Sequence, residues 1–295
     1  MILLAGVSYL LYMQLSKVEL NHWKELELKK PLFALFSFSL VFLNWFLEWQ
    51  KWKITLQTIN TNTSNKVNFR AFMAGIATGL ITPNMLGNFI GRIYYFKRKL
   101  RPSIILLTLT SNFSQFLASL VFGILSILLL REAPIEIELI LIVLVLFPLT
   151  LFFIAAYFHF EKIKWTMFTS KSWYIRLVKL VKEHKHLRFQ FFILSIVRHF
   201  VFTLQFWLLF NAFEDAINLD TFFWIWQIFL WTTIIPSLWF GKLVIRESIA
   251  LLVLGSIGFG QVEILTTSVL LWIINLALPS LISIFICRKT QTEIE

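Results

Sequence analysis

Apolar segments close to the length of a membrane-spanning helix follow one another along most of this chain. A transmembrane helix needs about 20 apolar residues. Mainly apolar segments occupy 2–15 (which is short for a span), 32–50, 103–130, 136–159, 189–212 and 262–287. Only 15% of the residues are charged, whereas soluble domains carry roughly 25%. The sequence therefore predicts a single all-α, polytopic membrane domain over 1–295, with no soluble domain beside it.

Two further apolar regions, 69–97 and 221–258, are interrupted by proline and glycine. In each region a proline is followed by a glycine four or five residues later, and an arginine follows that glycine by five residues. Proline removes a backbone donor, and in hydrocarbon such a break survives only when it is buried in protein or lines a wet cavity. We expect five residues to shape these breaks: Pro83, Gly87, Gly91, Pro236 and Gly241.

The two broken regions divide the chain into half-repeats at about 1–131 and 134–289. Lysine and arginine mark cytoplasmic loops, and the basic segment 161–188 is predicted to be a cytoplasmic amphipathic helix on the membrane surface. If both broken regions are re-entrant hairpins, the protein has six full spans, cytoplasmic termini and an inverted-topology repeat. If the broken regions cross fully, it has eight spans; the sequence leaves both open. Paired broken segments in two halves indicate a transporter's substrate site.

Arg92 and Arg246 are the leading candidates for binding an anionic group, because the arginine fork matches phosphate oxygens. The alternative is a structural role, in which each arginine reaches the membrane interface or pairs with Glu48 or Glu247. Predicted substrate-binding residues are Arg92, Arg246, Glu247, Asn84, Asn88 and Lys242. The two asparagines have an alternative use in capping the broken helices.

Polar residues inside the spans provide further candidates. Arg198 and His199 lie mid-span, where a proton relay with Glu48 competes with simple pairing to Glu48 or Glu263. Asn112, Gln115 and Asn275 are typical of hydrogen bonds between helices. Tryptophans and lysines alternate over 45–53, which we interpret as an anchor at the membrane interface.

The sequence contains no pattern typical of an enzyme active site. It has no paired-carboxylate, metal-ligand or phosphate-cradling motif, and its single cysteine, Cys287, excludes an internal disulfide. We therefore expect no catalytic residues, no cofactor and no metal. The net charge of +11 lies in loops between apolar spans, which favours contact with anionic lipid headgroups rather than nucleic acid.

Two segments carry a family resemblance. Residues 82–92, TPNMLGNFIGR, and the later stretch from Pro236 through Gly241 to Arg246 and Glu247 resemble the signature segments of the flippase-like transmembrane region of lysylphosphatidylglycerol synthases. The resemblance implies a stand-alone membrane member without the synthase domain, in the bacterial inner membrane. The chain differs from the family pattern at Met85 and Asn88, where a basic residue and a glutamate are common.

These observations lead to a lipid flippase-like transporter as the first functional hypothesis. Its substrate would be a phospholipid or a polyprenyl-phosphate-linked lipid, bound between the two broken regions. The alternative is a non-transporting membrane partner that positions a separately encoded lipid-modifying enzyme or glycosyltransferase. A third class, a membrane-embedded lipid enzyme, would need a paired acid and base, and Glu247 with His199 is the pair that the sequence offers.

Overall fold

The computed structural model describes residues 23–61, 63–80, 82, 87–130, 137–159, 182–215, 218–235 and 241–287. Regular structure in these ranges is helical and contains no strand, so the prediction of an all-helical fold is confirmed. The helices are α1 Pro31–Thr58, α2 Asn65–Leu80, α3 Asn88–Ile93, α4 Arg101–Leu129, α5 Ile137–Phe158, α6 Lys185–Asn211, α7 Leu219–Ile234, α8 Gly241–Ser256, α9 Gln261–Trp272 and α10 Leu278–Cys287, with a π-helical turn, Ile273–Ala277, between α9 and α10.

Four continuous helical segments are long and apolar enough to cross a membrane: α1, α4, α6 and the combined segment Gln261–Cys287. Helix α5 adds a shorter apolar stretch, Val143–Phe158. The protein is therefore a multi-pass membrane protein. The predicted span at 2–15 and most of the predicted surface helix at 161–188 lie outside the described residues. The number of spans stays a prediction.

Helix α1 shows how these helices divide their faces between lipid and protein. It begins at Pro31, where the missing N–H costs no helical hydrogen bond. One stripe carries large exposed apolar side chains, which include Leu35, Phe42 and Phe46. The opposite stripe is polar and buried; it includes Ser37, Asn44, Lys51 and Thr55. This distribution places the apolar face towards hydrocarbon and the polar face towards the protein interior.

Both broken regions form pairs of short helices. Helix α2 packs against the six-residue helix α3, and α7 packs against α8. In the first pair the amide of Gly87 donates to the Thr82 hydroxyl oxygen at 2.8 Å, and the amide of Gly91 donates to the Thr78 hydroxyl oxygen at 3.1 Å. These bonds fasten α3 to the end of α2.

The largest apolar cluster joins the second broken pair to the long helices. Its members come chiefly from α6, α7, α8 and α9, with Ala34 of α1. The start of α1 is also bonded to the end of α6, because the amide of Lys30 donates to the carbonyl oxygen of Ala212 at 3.1 Å. Beside this core the helices leave a space between the two broken pairs, with a mainly apolar wall that also contains charged and amide side chains.

Candidate functional site

A cavity of about 880 Å³ lies between the two broken helix pairs. The first pair contributes residues from Phe72 to Arg92, and the second contributes Phe229, Thr232, Thr233 and Arg246. Helices α1, α4, α5, α6 and α9 and the π-helical turn contribute most of the remaining wall. The volume lies within the range of about 300–1,000 Å³ that is usual for small-molecule sites.

Glu48 stands at the centre of a buried ionic cluster in this wall. Its Oε1 lies 3.1 Å from Arg92 Nη2, and its Oε2 lies 3.4 Å from Arg198 Nη1 and 4.0 Å from Lys51 Nζ. Arg92 and Lys51 are each only 2% exposed. We call Glu48, Lys51, Arg92 and Arg198 the ionic cluster; it brings three cations to one carboxylate.

Amide side chains surround the ionic cluster. Gln115 Oε1 accepts hydrogen bonds from Lys51 at 3.3 Å and from Arg198 at 3.4 Å. Asn44 Oδ1 accepts from Arg198 Nε at 2.7 Å, and Asn44 Nδ2 donates to Asn275 Oδ1 at 2.7 Å. Because the side-chain amides of Asn44 and Gln115 can both donate and accept, they fix the orientation of Arg198 without adding charge.

Asn275 reaches this network from the π-helical turn Ile273–Ala277. Its Nδ2 also donates to Gln205 Oε1 at 3.0 Å. Pro279 follows four residues later and cannot donate to the carbonyl of Asn275. The i→i+5 bond from Leu278 N to Ile273 O is the local form that the helix takes just before the proline. π-Helical turns of this kind are frequent at functional sites.

Arg92 is held from two sides. Its guanidinium carbon lies 4.8 Å from the centre of the Trp52 ring, a cation–π contact, while Nη2 donates to Glu48. Its Nε is buried and has no hydrogen-bond partner among the described residues. A Cβ atom at Gly75 would lie 2.8 Å from this Nε, so the glycine makes room for the arginine.

Of the other residues predicted for the first broken region, the two glycines pack inside it, whereas Asn88 lines the cavity and bonds to α4. A Cβ atom at Gly91 would meet the backbone of Ala74, and one at Gly87 would meet the side chain of Thr82. Asn88 is buried and exchanges two hydrogen bonds with Asn112, each 3.1 Å long. Pro83 and Asn84 lie outside the described residues, as does Met85.

The second broken region places a separate ion pair beside the cavity. Arg246 Nη2 lies 2.7 Å from Glu247 Oε1, and the same guanidinium donates to the hydroxyl and the carbonyl oxygen of Ser268 at 3.0 and 2.7 Å. Both charged residues are buried, and Arg246 lines the cavity. Gly241 begins α8, whereas Pro236 and the side chain of Lys242 lie outside the described part.

The three residues proposed as a proton relay are not joined as one chain. Arg198 contacts Glu48 directly, but His199 faces another way. The His199 ring stacks on Phe122 with centroids 4.8 Å apart, and its Nδ1 lies 3.3 Å from the hydroxyl oxygen of Ser119. Among the described contacts, the partners of His199 are therefore aromatic and hydroxyl groups rather than carboxylates.

Three members of the polar network were not among the candidates drawn from the sequence: Asn44, Lys51 and Gln205. The interpretation of 45–53 as an interfacial anchor is wrong for Lys51 and for Trp52, since both are buried. The helix continues to Thr58, so this stretch lies within α1 rather than at its end. The spacing of Asn44, Glu48, Lys51 and Thr55 on one helical face is the signal that indicates their inward direction.

Comparison with known proteins adds one finding. Residues 2–283 match the family model described as the lysylphosphatidylglycerol synthase TM region. Comparisons with curated proteins and with solved structures find no match.

Proposed function

The chain belongs to the family of the lysylphosphatidylglycerol synthase TM region, which gives it a role connected with membrane lipids, and we propose that it is a flippase-like lipid transporter. Its substrate is a phospholipid or a polyprenyl-phosphate-linked lipid, which it moves between the leaflets of the bacterial inner membrane. The observation that carries the proposal is the cavity between two broken helix pairs, with buried arginines in its wall.

The order of the elements supports this proposal. A long helix, two short packed helices and a second long helix occur twice, as α1 to α4 and as α6 to α10. In our proposal these are the halves of an inverted-topology repeat, and the short pairs are re-entrant hairpins that approach the membrane midplane from opposite faces. Substrate sites of transporters lie at such repeat interfaces.

The headgroup binds in the cavity and the acyl chains remain in lipid. Arg92 and Arg246 lie on opposite broken pairs, so each can contact the headgroup from its own half of the protein. Transport of this kind changes no covalent bond, which makes the protein a carrier rather than an enzyme. Both termini are cytoplasmic in this arrangement, and movement is equilibrative or follows an ion gradient.

A lipid-scrambling assay in liposomes tests the proposal. Purified protein is reconstituted with fluorescent phospholipid, and the fraction of label that becomes accessible to an external quencher is followed over time. We expect transport by the wild type and its loss in Arg92→Ala and in Arg246→Ala. Arg98→Ala is the matched control, because Arg98 is an exposed arginine outside the cavity wall.

The variants are compared only after size-exclusion profiles and thermal unfolding show that they are folded. If the wild type moves none of several anionic, zwitterionic and polyprenyl lipids, the transport proposal fails. The alternative, a membrane partner that positions a lipid-modifying enzyme or a glycosyltransferase, would then be examined by co-purification.

A further inference from the structure

The charges of the ionic cluster do not balance. Lys51, Arg92 and Arg198 contribute three positive charges around the single negative charge of Glu48. Two further arginines line the cavity: Arg246 has Glu247 as its own partner at 2.7 Å, and Arg188 donates to the carbonyl oxygen of Tyr157 at 3.2 Å. Among the described residues, the ionic cluster therefore has two formal positive charges in excess, in an interior where an unbalanced charge is costly.

The other described side chains that contact the ionic cluster are neutral. Gln115 and Asn44 accept hydrogen bonds from its cations, and Trp52 stacks on Arg92, but none of these groups carries a formal charge. Arg92 Nε is buried without a hydrogen-bond partner in the described part of the chain. All four charged residues line the cavity, so a ligand in the cavity can reach them.

We propose that the ionic cluster binds a doubly charged phosphate group, either a phosphate monoester or a pyrophosphate diester, as the headgroup of the transported lipid. This inference rests on the proposed function and names its substrate class. A phosphate monoester carries about −1.5 to −2 charges at pH 7, which matches the two excess positive charges. A phosphodiester headgroup with one negative charge leaves one cation unbalanced, and a cationic headgroup is repelled.

The side chains of the ionic cluster also suit a phosphate ligand in their geometry. Two arginines offer forked donors for phosphate oxygens, and a lysine adds a compact point charge. Arg198 is 24% exposed at its side chain, so it is the most accessible of the three cations. Glu48 keeps the cations together while the cavity is empty, and it limits the ligand charge that the site can balance to two.

The apolar part of the cavity accommodates the first segment of a lipid tail. Phe113, Phe116 and Phe153 lie in the wall and pack against one another with ring centroids 5.5–6.0 Å apart. A ligand with a compact dianionic head and an apolar tail contacts both the ionic cluster and the apolar part of the wall, whereas inorganic pyrophosphate contacts only the ionic cluster. This difference separates a lipid ligand from a free anion.

Binding is measured on wild-type protein in nanodiscs of zwitterionic lipid at pH 7.5. The probes are short-chain phosphatidic acid, phosphatidylglycerol with the same chains, inorganic pyrophosphate and chloride. We expect phosphatidic acid to bind about tenfold more tightly than phosphatidylglycerol, the effect of one additional charge-assisted interaction. Pyrophosphate is expected to compete with phosphatidic acid and to bind more weakly than it.

Variants assign the preference to the ionic cluster. Lys51→Met is expected to reduce the affinity for phosphatidic acid to the value for phosphatidylglycerol, and Arg198→Gln provides a second variant should Lys51→Met not fold. Lys53→Met is the matched control, since this exposed lysine lies on the same helix outside the cavity wall. It is expected to keep the tenfold preference.

The outcomes separate this inference from the proposed function. Equal binding of both lipids, or competition by chloride as strong as that by pyrophosphate, overturns the inference even if lipids are transported. Pyrophosphate that binds as tightly as phosphatidic acid identifies a site for the free anion and overturns the lipid assignment. A tenfold preference for phosphatidic acid in a protein that moves no lipid upholds the binding site and overturns transport.

Discussion

Glu48 Oε1 lies 3.1 Å from Arg92 Nη2, and this contact joins the long helix α1 to the short helix α3 of the first broken pair. The two residues are 44 positions apart in sequence. Arg92 is 2% exposed, so the pair forms in the protein interior. The Glu48 carboxylate also contacts Arg198 and Lys51. Among the described residues, Glu48 is therefore the one negative charge in contact with all three cations of the ionic cluster.

We predict that Glu48→Gln lowers the stability of the folded protein. The substitution removes the carboxylate from a cluster of three cations, and loss of one partner from a buried ionic group costs about 3–5 kcal/mol. Thermal unfolding in detergent is the measurement, and Glu27→Gln, at an exposed carboxylate, is the matched control. An unchanged Tm for Glu48→Gln would show that the ionic cluster does not depend on this carboxylate.

The contact between Glu48 and Arg92 also predicts coupling between two substitutions. Once Glu48 is replaced by glutamine, a further Arg92→Gln change removes an uncompensated cation, so the double variant is expected to be less destabilised than the sum of the single variants. Residues in contact typically show coupling of about 0.5–3 kcal/mol. Strictly additive losses would contradict a direct interaction in the folded protein.

Much of the helical order follows from local sequence. Pro31 begins α1 because proline suits the first helical turn, and the two prolines with their following glycines mark the two interruptions. The end of α1 does not follow from local sequence. The apolar pattern predicts that the span ends at residue 50, whereas the helix continues to Thr58. The charged residues Glu48, Lys51 and Lys53 end the apolar pattern, but they do not end the helix. Glu48 and Lys51 line the internal cavity, whereas Lys53 is exposed.

The contacts within the candidate site are harder to predict from the sequence than the helices are. The motif spacing selected Arg92 and Arg246, and both line the cavity, although ligand binding by them stays a prediction. The sequence offers both Glu48 and Glu263 as partners of Arg198, and the structure shows Glu48. Glu48 and Arg198 are 150 positions apart, so no local spacing selects between these partners. The local sequence around Lys51 predicts an interfacial position, because lysines among tryptophans are typical of the membrane interface. The same local pattern occurs here beside a carboxylate in the wall of an internal cavity.

Gly91→Ala is expected to disturb the first broken helix pair. A Cβ atom at this position meets the backbone of Ala74, so α2 and α3 must separate, and such overpacking typically costs about 1–3 kcal/mol. The lipid-scrambling rate should fall together with Tm, since Arg92 is the next residue. Gly255→Ala is the matched control: it has open space around it, and alanine favours helix. A Gly91→Ala variant as stable as Gly255→Ala would refute the close packing.

Asn44→Leu is expected to weaken the amide network around Arg198. The change removes the acceptor of the 2.7 Å bond from Arg198 Nε and the donor to Asn275, and unsatisfied buried polar groups cost about 1–3 kcal/mol. Tm and binding of phosphatidic acid should both decrease. Gln57→Leu, at an exposed amide on the same helix, serves as the control, and equal effects of the two substitutions would count against the network.

The ion pairs outside the spans predict a pH dependence of a different kind. Asp215 lies 3.1 Å from Lys29 and 3.3 Å from Lys30, and hydrogen bonds from Lys29 and then Lys30 hold the pKa of Asp215 below its usual value of 3.8. A lowered pKa in the folded state adds stability above the unfolded pKa, and this stability is lost as the pH falls through the folded pKa. The wild type should therefore exceed Asp215→Asn in Tm by a small, constant amount at pH 6–8, since exposed pairs are weak and screened by salt. The difference should shrink below about pH 4 and in high salt; a difference that persists at pH 2–3 would contradict the ion-pair explanation.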